Sequence, residues 1–162
     1  MPSPEITLRM PTGKDGSAVW ALIRACKPLD ENSMYCNLLQ SDHFRDTCVI
    51  AEASGEIGGW ISAYLMPGAP DTLFVWQVAV APAARGMGLG GRMLEALLDR
   101  PFCAGVRQIQ ATVTPTNDAS RAMLQGFARR RNATLSTEPY IDSDAHLAGL
   151  HPSEDRITIT LA

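Results

Sequence analysis

Residues 74–91 read FVWQVAVAPAARGMGLGG. The segment begins with a near-continuous apolar strand, Phe74–Val80. It passes through Ala-Pro into Arg85-Gly86-Met87-Gly88-Leu89-Gly90-Gly91, and a helix over 88–99 follows. Glycines at 86, 88, 90 and 91 leave the backbone N–H groups unobstructed, and a helix start adds its own unpaired N–H groups and the positive end of its dipole. Such a turn is a cradle for phosphate, so a nucleotide-like ligand is expected. It also requires a strand that ends where a helix begins, which constrains the fold to a sheet covered by helices.

The remaining composition narrows the class by exclusion. A chain of 162 residues can bury a core without staples and is expected to form one domain, 1–162. Its net charge of −3 argues against a general nucleic-acid binder. The run Arg129-Arg130-Arg131 reads as a solvated helix end complementing the dipole, with a phosphate contact as the other reading. Cys26, Cys36, Cys48 and Cys103 form no CxxC pair and have no zinc-ligand spacing with a histidine, so no metal is expected. Cys26 and Cys48 read as small core residues. MPSPEITLRM lacks the apolar run of a signal peptide, and no stretch approaches the length of a membrane span. These features predict a cytoplasmic protein with no membrane partner.

Periodicity places the other elements. Ile6, Leu8 and Met10 alternate in a first strand over 5–10. Thr12-Gly-Lys-Asp15 has capping-box form and opens a helix over 13–27, stopped by Pro28, with Val19, Leu22, Ile23 and Cys26 on its apolar face. Residues 29–42 read as an irregular turn and a short helix around 35–40. Strands over 47–53 and 57–66 form a hairpin about Ser54-Gly55-Glu56, and Pro67–Asp71 reads as a plain loop. The helix over 88–99 carries Leu89, Met93, Leu94, Leu97 and Leu98 as its stripe, and Pro101 closes that region. A strand over 106–114 precedes a helix capped by Asn117 or Thr116 and running to about Arg130. Late strands are expected over 134–136 and 156–161, with a long polar segment, 141–155, between them. The order predicts an α/β fold with one central mixed, mostly antiparallel sheet flanked by helices.

Gly86-Met-Gly88-Leu-Gly90-Gly91 formally satisfies GxGxxG, but a dinucleotide fingerprint belongs in the first βα turn with an acid about 20 residues on. Here four strands come first, and VRQIQAT over 106–112 contains no acid. A purely structural glycine turn would rarely need four glycines. Arg85-Gly86-Met87-Gly88-Leu89-Gly90 instead resembles the acetyl-CoA signature Gln/Arg-x-x-Gly-x-Gly/Ala of the Gcn5-related N-acetyltransferases, the GNAT family. The resemblance implies the GNAT fold, with the strands at 75–80 and 106–114 splaying apart. It also implies acetyl-CoA as cosubstrate. Its pantetheine arm would lie along the backbone of Val78 and Val80, and its pyrophosphate on Arg85, Gly86, Met87, Gly88, Leu89, Gly90 and Gly91. Asn117 corresponds to a family asparagine that contacts the cofactor. The tyrosine that often protonates the departing thiolate, seven residues further on, is Leu124 here, which leaves Tyr35 and Tyr140 as the available phenols.

Further strings, PTGKDGSAVWALI, LDENSMYCNLL, FRDTCVIAE, ATVTPTNDASRAMLQGFARRRN and HPSED, resemble the GNAT branch that acetylates the γ-amine of L-2,4-diaminobutyrate on the way to ectoine. The partner so implied is a small diamino acid. The expected acceptor side is the loop after the first helix, with Asp30, Asn32 and Tyr35. Trp76, Gln77 and Thr114 are added as strand-end contacts, and His151 and Glu154 as groups that close over the substrate's polar end. Asp30 reads as the amine contact or base and equally as a solvated loop acid. Trp76 reads equally as plain core, Thr114 as an ordinary strand-end residue, and His151 as a loop histidine without a role. A Lys-like amine with a pKa near ~10.4 must lose a proton before it attacks a thioester, at a cost of roughly 4–5 kcal/mol at pH 7. A carboxylate can take that proton, and the backbone N–H of Val78 is the expected partner of the developing oxyanion. Direct transfer is expected over an acyl intermediate on Cys36 or Cys48, since neither has an activating neighbour in sequence. Other readings are an acetyltransferase for a polyamine, an aminoglycoside or a protein N-terminus, and an acetyl-CoA-binding module without catalysis. The family also makes a homodimer an expectation.

Overall fold

The structure is a computed structural model and describes residues 5–162, so the first four residues of the MPSPEITLRM stretch lie outside it. Seven strands form one mixed sheet: β1 Ile6–Arg9, β2 Val49–Ala53, β3 Glu56–Met66, β4 Ala69–Val80, β5 Gln108–Val113, β6 Thr134–Ile141 and β7 Glu154–Thr160. The helices are α1 Gly16–Ala25, α2 Met34–Asp42, α3 Leu89–Leu98, α4 Asp118–Arg130 and α5 Ser143–Leu147. The strand order is β1-β2-β3-β4-β5-β7-β6. The β1–β2, β2–β3, β5–β7 and β6–β7 pairs are antiparallel, and β4–β5 is parallel. The expected mixed, mostly antiparallel sheet is therefore present.

The chain divides into two compact units whose boundaries fall inside β3 and β4. The first runs to Tyr64 and resumes over Gln77–Ala104. Its core is the α1 stripe of Val19, Leu22, Ile23 and Cys26 with Cys48, Ile50, Trp60 and Ala79. Each fully buried aliphatic of that stripe contributes roughly 1.5–3 kcal/mol, which is enough to seat α1. The buried side chains of α2 are instead polar: Asn37, Gln40 and Ser41. The side-chain oxygen of Ser33 caps this helix at Cys36 N–H (3.0 Å). Gly16 brings α1 so close that an added Cβ would sit 2.8 Å from the Leu38 Cα. The second unit comprises Leu65–Trp76 and Gly105–Ala162. There Leu124, Phe127 and Ala128 of α4 are buried, as are Ile109, Ala111, Val113, Ile157 and Ile159 of β5 and β7.

Several boundaries differ from the sequence reading for local reasons. The helix expected over 13–27 is a 3-10 turn, Gly13–Asp15, followed by α1. The capping box opens the 3-10 turn, with Asp15 accepting from Thr12 N–H at 2.7 Å. Thr47 closes a 3-10 turn rather than opening β2. The loop expected over 67–71 is only a two-residue turn. Gly68, at φ +80, takes the position that a type II turn reserves for glycine. β4 is correspondingly longer, beginning at Ala69 with Pro70 inside it, while β3 ends at Met66 as expected. The segment 74–80 is only partly buried: Val75 and Ala79 are covered, while Trp76 is 42% exposed. β6 extends to Ile141 because it pairs with β7 along nearly its whole length, although most of its side chains are exposed. The polar segment after it contains α5, capped by Asp142, whose carboxylate accepts from the N–H groups of Asp144 and Ala145.

Candidate active site

The glycine segment has the geometry of an anion cradle. Gly86 and Gly88 hold φ +82 and +66, and nothing lies within 4 Å of where their Cβ atoms would be. Gly88 is the left-handed N-cap of α3 and supplies no side chain. It stands outside the helix rather than opening it. The first helical donor is Arg92, whose N–H reaches the Gly88 carbonyl at 3.1 Å. The N–H groups of Leu89, Gly90 and Gly91 therefore have no acceptor within the helix, and the positive end of its dipole lies beside them. Gly90 and Gly91 are buried in the first turn, whereas residues 85–88 are exposed. Four exposed residues followed by three open donors fit a diphosphate without any side-chain base. Acetyl-CoA, the ligand expected from the motif, matches that donor set.

Arg85 fixes the entry to this cradle. Its Nε donates to the Val80 carbonyl at 3.2 Å, and the Cys26 thiol reaches the same oxygen at 3.4 Å. On the other side of that peptide, Ala81 N–H donates to the Gly58 carbonyl of β3 at 2.9 Å. The end of β4 is thus held from two directions. The β4–β5 ladder covers Thr72–Val75 against Gln108–Ala111, and Gln77–Val80 continue beyond it.

The loop between α1 and α2 is tied to this end of β4. Gln77 Nε2 donates to the Asp30 carbonyl at 2.8 Å, and Asn32 Nδ2 donates to Gln77 Oε1 at 3.2 Å. Asp30, Asn32 and Gln77 are therefore brought together. The contact between them is amide to loop, a role the sequence reading did not assign. The signal for it was a glutamine inside an apolar run, just before buried Ala79, which needs a partner. The Asp30 carboxylate is on an exposed residue. Tyr35 stands in the first turn of α2 with 67% of its surface exposed. Glu31 pairs with Arg24 (3.0 Å) and Lys27 (3.4 Å) of the α1 side.

Val78 lies next to Gln77 in the first unit, and the remaining expected site residues, Trp76, Thr114, Asn117, His151 and Glu154, lie in the second. Asn117 caps α4, its Oδ1 accepting from Ser120 N–H at 3.2 Å, and its own N–H returns to the Thr114 carbonyl at 3.1 Å. Thr114 and Asn117 thus form one tight β5–α4 turn. Residues after α5 are pinned by Ser143, whose Oγ donates to the His151 carbonyl at 2.6 Å and whose N–H donates to Ser153 Oγ at 2.8 Å. Glu154 opens β7 and lines, with residues 139–142, 153 and 155, a hollow of about 290 Å³. Beside it Arg121 pairs with Asp155 at 2.9 Å, a cross-link of α4 to β7 that sequence patterning did not indicate. Tyr140, one of the two available phenols, lies under the Arg156 guanidinium at 4.5 Å.

The thiols are poorly suited to nucleophilic catalysis. All four cysteines are free. Burial raises the Cys36 and Cys103 thiols above their ordinary values and pushes Cys48 up to about 12. A thiol shifted upward carries little thiolate at neutral pH, which disfavours an acyl-cysteine. Among the described residues no group of histidine, cysteine and carboxylate side chains could hold a metal ion, and no helix is long and apolar enough to cross a membrane.

Comparison with known proteins gives this geometry a context. An L-2,4-diaminobutyric acid acetyltransferase of Methylotuvimicrobium alcaliphilum is 48% identical over 151 residues, 93% of this chain and 88% of the relative. One of the same name from Chromohalobacter salexigens is 44% identical over 153 residues, 94% and 79% of the two chains. The solved structure of the diaminobutyrate acetyltransferase EctA from Paenibacillus lautus, in complex with its substrate L-2,4-diaminobutyric acid and coenzyme A, superposes with a TM-score of 0.93 at 41% identity. That match covers 98% of this chain and 96% of the other. The model of the acetyltransferase (GNAT) family matches residues 17–127. With its cradle at 86–91 and its sheet order both in place, the chain belongs to the GNAT acetyltransferase family.

Proposed function

We propose that this protein is an N-acetyltransferase that moves the acetyl group of acetyl-CoA to the γ-amine of L-2,4-diaminobutyrate, giving N-γ-acetyl-diaminobutyrate for ectoine biosynthesis. The observation that carries this reading is the near-complete match to a structure holding that diamino acid and coenzyme A. The whole chain, 1–162, acts as one GNAT domain in this proposal. When bound, acetyl-CoA supplies a thioester carbonyl open to attack by a neutral amine.

The chain's own residues do the rest. The N–H groups of residues 86–91 hold the diphosphate, with Arg85 and Asn117 at the two flanks of the cofactor. The backbone of Val78 and Val80 aligns the pantetheine arm. In this reading the Val80 carbonyl stays with Arg85 and Cys26, and its N–H meets the ligand. Val78 N–H meets the negative charge that develops on the carbonyl oxygen, in a place fixed before reaction. Asp30 takes or relays the amine proton, and Tyr35 lies on the same acceptor side. Trp76 walls the acceptor side, while Thr114, His151 and Glu154 meet the α-ammonium and α-carboxylate. The cytoplasm is the proposed compartment, supported by the free thiols, and a homodimer is the proposed assembly on family grounds.

The test is release of free thiol from acetyl-CoA with a panel of acceptors: L-2,4-diaminobutyrate, a polyamine, an aminoglycoside and a peptide with a free N-terminus. Turnover with the diamino acid well above the others, with product acetylated at the γ-nitrogen by NMR, is expected. A preference for another amine overturns the substrate assignment, and no turnover with any acceptor favours a binding module.

A further inference from the structure

The connection between α1 and α2 has two kinds of attachment. Glu31 is held by Arg24 and Lys27, but every one of these side chains is 43–69% exposed, and exposed ion pairs contribute little. The second attachment is directional. One side-chain amide, that of Gln77, donates to the Asp30 carbonyl at 2.8 Å and accepts from the Asn32 amide at 3.2 Å. Both functional ends of the Gln77 amide are engaged, and both point at the loop. A ligand would have to compete for them. Leu29 supports the same placement. It packs against the α1 core and its N–H returns to the Cys26 carbonyl at 2.9 Å, while the Cys26 thiol reaches Val80. The loop is therefore strapped at successive points to residues 77–80, the stretch that presents Val78.

We infer that Gln77 is a positioning residue: its amide straps the 29–32 loop to the end of β4 and so sets where the acceptor amine meets the acyl carbonyl. The inference rests on the proposed acceptor role of Asp30. A carboxylate on a loose loop can sit beside the amine only part of the time, whereas one whose own carbonyl is bonded to the neighbour of Val78 is held in register with the oxyanion donor. The strap bonds side chain and backbone of the 29–32 loop, on the acceptor side. It touches none of the cradle residues at 85–91, so the grip on the diphosphate, which dominates coenzyme A affinity, does not depend on it.

The experiment compares wild type with Gln77→Ala, Gln77→Glu and Asn32→Ala. Hydrogen exchange at residues 29–33 is measured in the protein without ligands, alongside KM for diaminobutyrate, kcat, and coenzyme A affinity by calorimetry. Loss of two hydrogen bonds in Gln77→Ala speeds exchange across the loop and raises KM for the diamino acid by about tenfold, leaving coenzyme A affinity within about twofold. Asn32→Ala keeps the bond to the Asp30 carbonyl and gives a smaller change in both readouts, whereas Gln77→Glu sets a carboxylate oxygen against that carbonyl and loosens the loop at least as much as Gln77→Ala. If KM rises in Gln77→Ala while loop exchange stays at the wild-type rate, Gln77 touches the substrate itself and the inference fails. It fails equally if neither moves. Wild-type protein inactive on diaminobutyrate would remove the substrate reading but leave the exchange result to be judged separately.

Discussion

Gly88 combines two demands that only glycine meets. Its φ of +66 is left-handed, and its missing side chain leaves open the space in front of the α3 donors. A β-branched residue there carries a backbone penalty of roughly 1–2 kcal/mol. No atom lies where its Cβ would go, so the fold tolerates it. Gly88→Val is therefore expected to lower the melting temperature by a few degrees while weakening coenzyme A binding more than about tenfold, since the side chain fills the cradle. Calorimetric titration with coenzyme A measures this, and unchanged affinity would move the phosphate site elsewhere. Gly90 and Gly91 looked equivalent in the sequence but are buried in the first turn of α3. That difference was not legible, because one GxG pattern can be split between turn and helix in more than one way.

At the level of elements, the first unit offers two contrasting devices. Gly16 lets α1 approach α2 until an added Cβ would sit 2.8 Å from backbone at Leu38, an atom that cannot swing aside. Gly16→Ala must push α2, and with it Tyr35, away. A loss of about 1–3 kcal/mol in urea unfolding is expected, with a raised KM for the acceptor. The second device is the Arg9–Asp15–Glu52 network, in which Arg9 donates to Asp15 at 2.8 Å and to Glu52 at 2.9 Å. The hydrogen bonds from Arg9 hold the Asp15 carboxyl below the usual carboxylate range, against the opposing effect of burial. A depressed carboxylate adds stability above its unfolded pKa of about 3.9 and loses it as pH falls through the lower folded value. The stability gap between wild type and Asp15→Asn should be about 1–2 kcal/mol at pH 7 and should shrink below about pH 4. A gap independent of pH would show that the charge of the Asp15 carboxylate is not what stabilises the network. That capping box was legible because it spans four consecutive residues. The second partner of Arg9, Glu52 on β2, was not.

For the whole molecule, the thiols decide between two chemical routes. Burial raises Cys36 and pushes Cys48 up to about 12, so neither supplies a thiolate at neutral pH. Direct transfer predicts that protein incubated with acetyl-CoA alone shows no added acetyl group by intact mass spectrometry, and that Cys36→Ser keeps its rate within about twofold. An acetylated cysteine would reverse this. The outline of the fold was legible because α1, α3 and α4 each bury an apolar stripe at helical spacing and β2 to β5 carry clear apolar runs. β6 reaches further than its sequence pattern predicts, for the opposite reason. Its residues are mostly exposed, so no alternation marks it, and only its pairing with β7 shows that it reaches Ile141.

What the chain determines by itself is what consecutive residues can enforce. An apolar strand, glycines able to take positive φ and a helix start lie within residues 74–91, so the phosphate cradle could be read directly, and the acetyl donor through the family that its motif resembles. The proposed acceptor side depends on residues 45 and 47 positions apart, Asn32 with Gln77 and Asp30 with Gln77. No local periodicity encodes that meeting. It follows from α1 burying its stripe beneath β4 and delivering the next loop to the strand's end, which is a consequence of packing. The tertiary structure therefore decided that Gln77 is occupied with the loop.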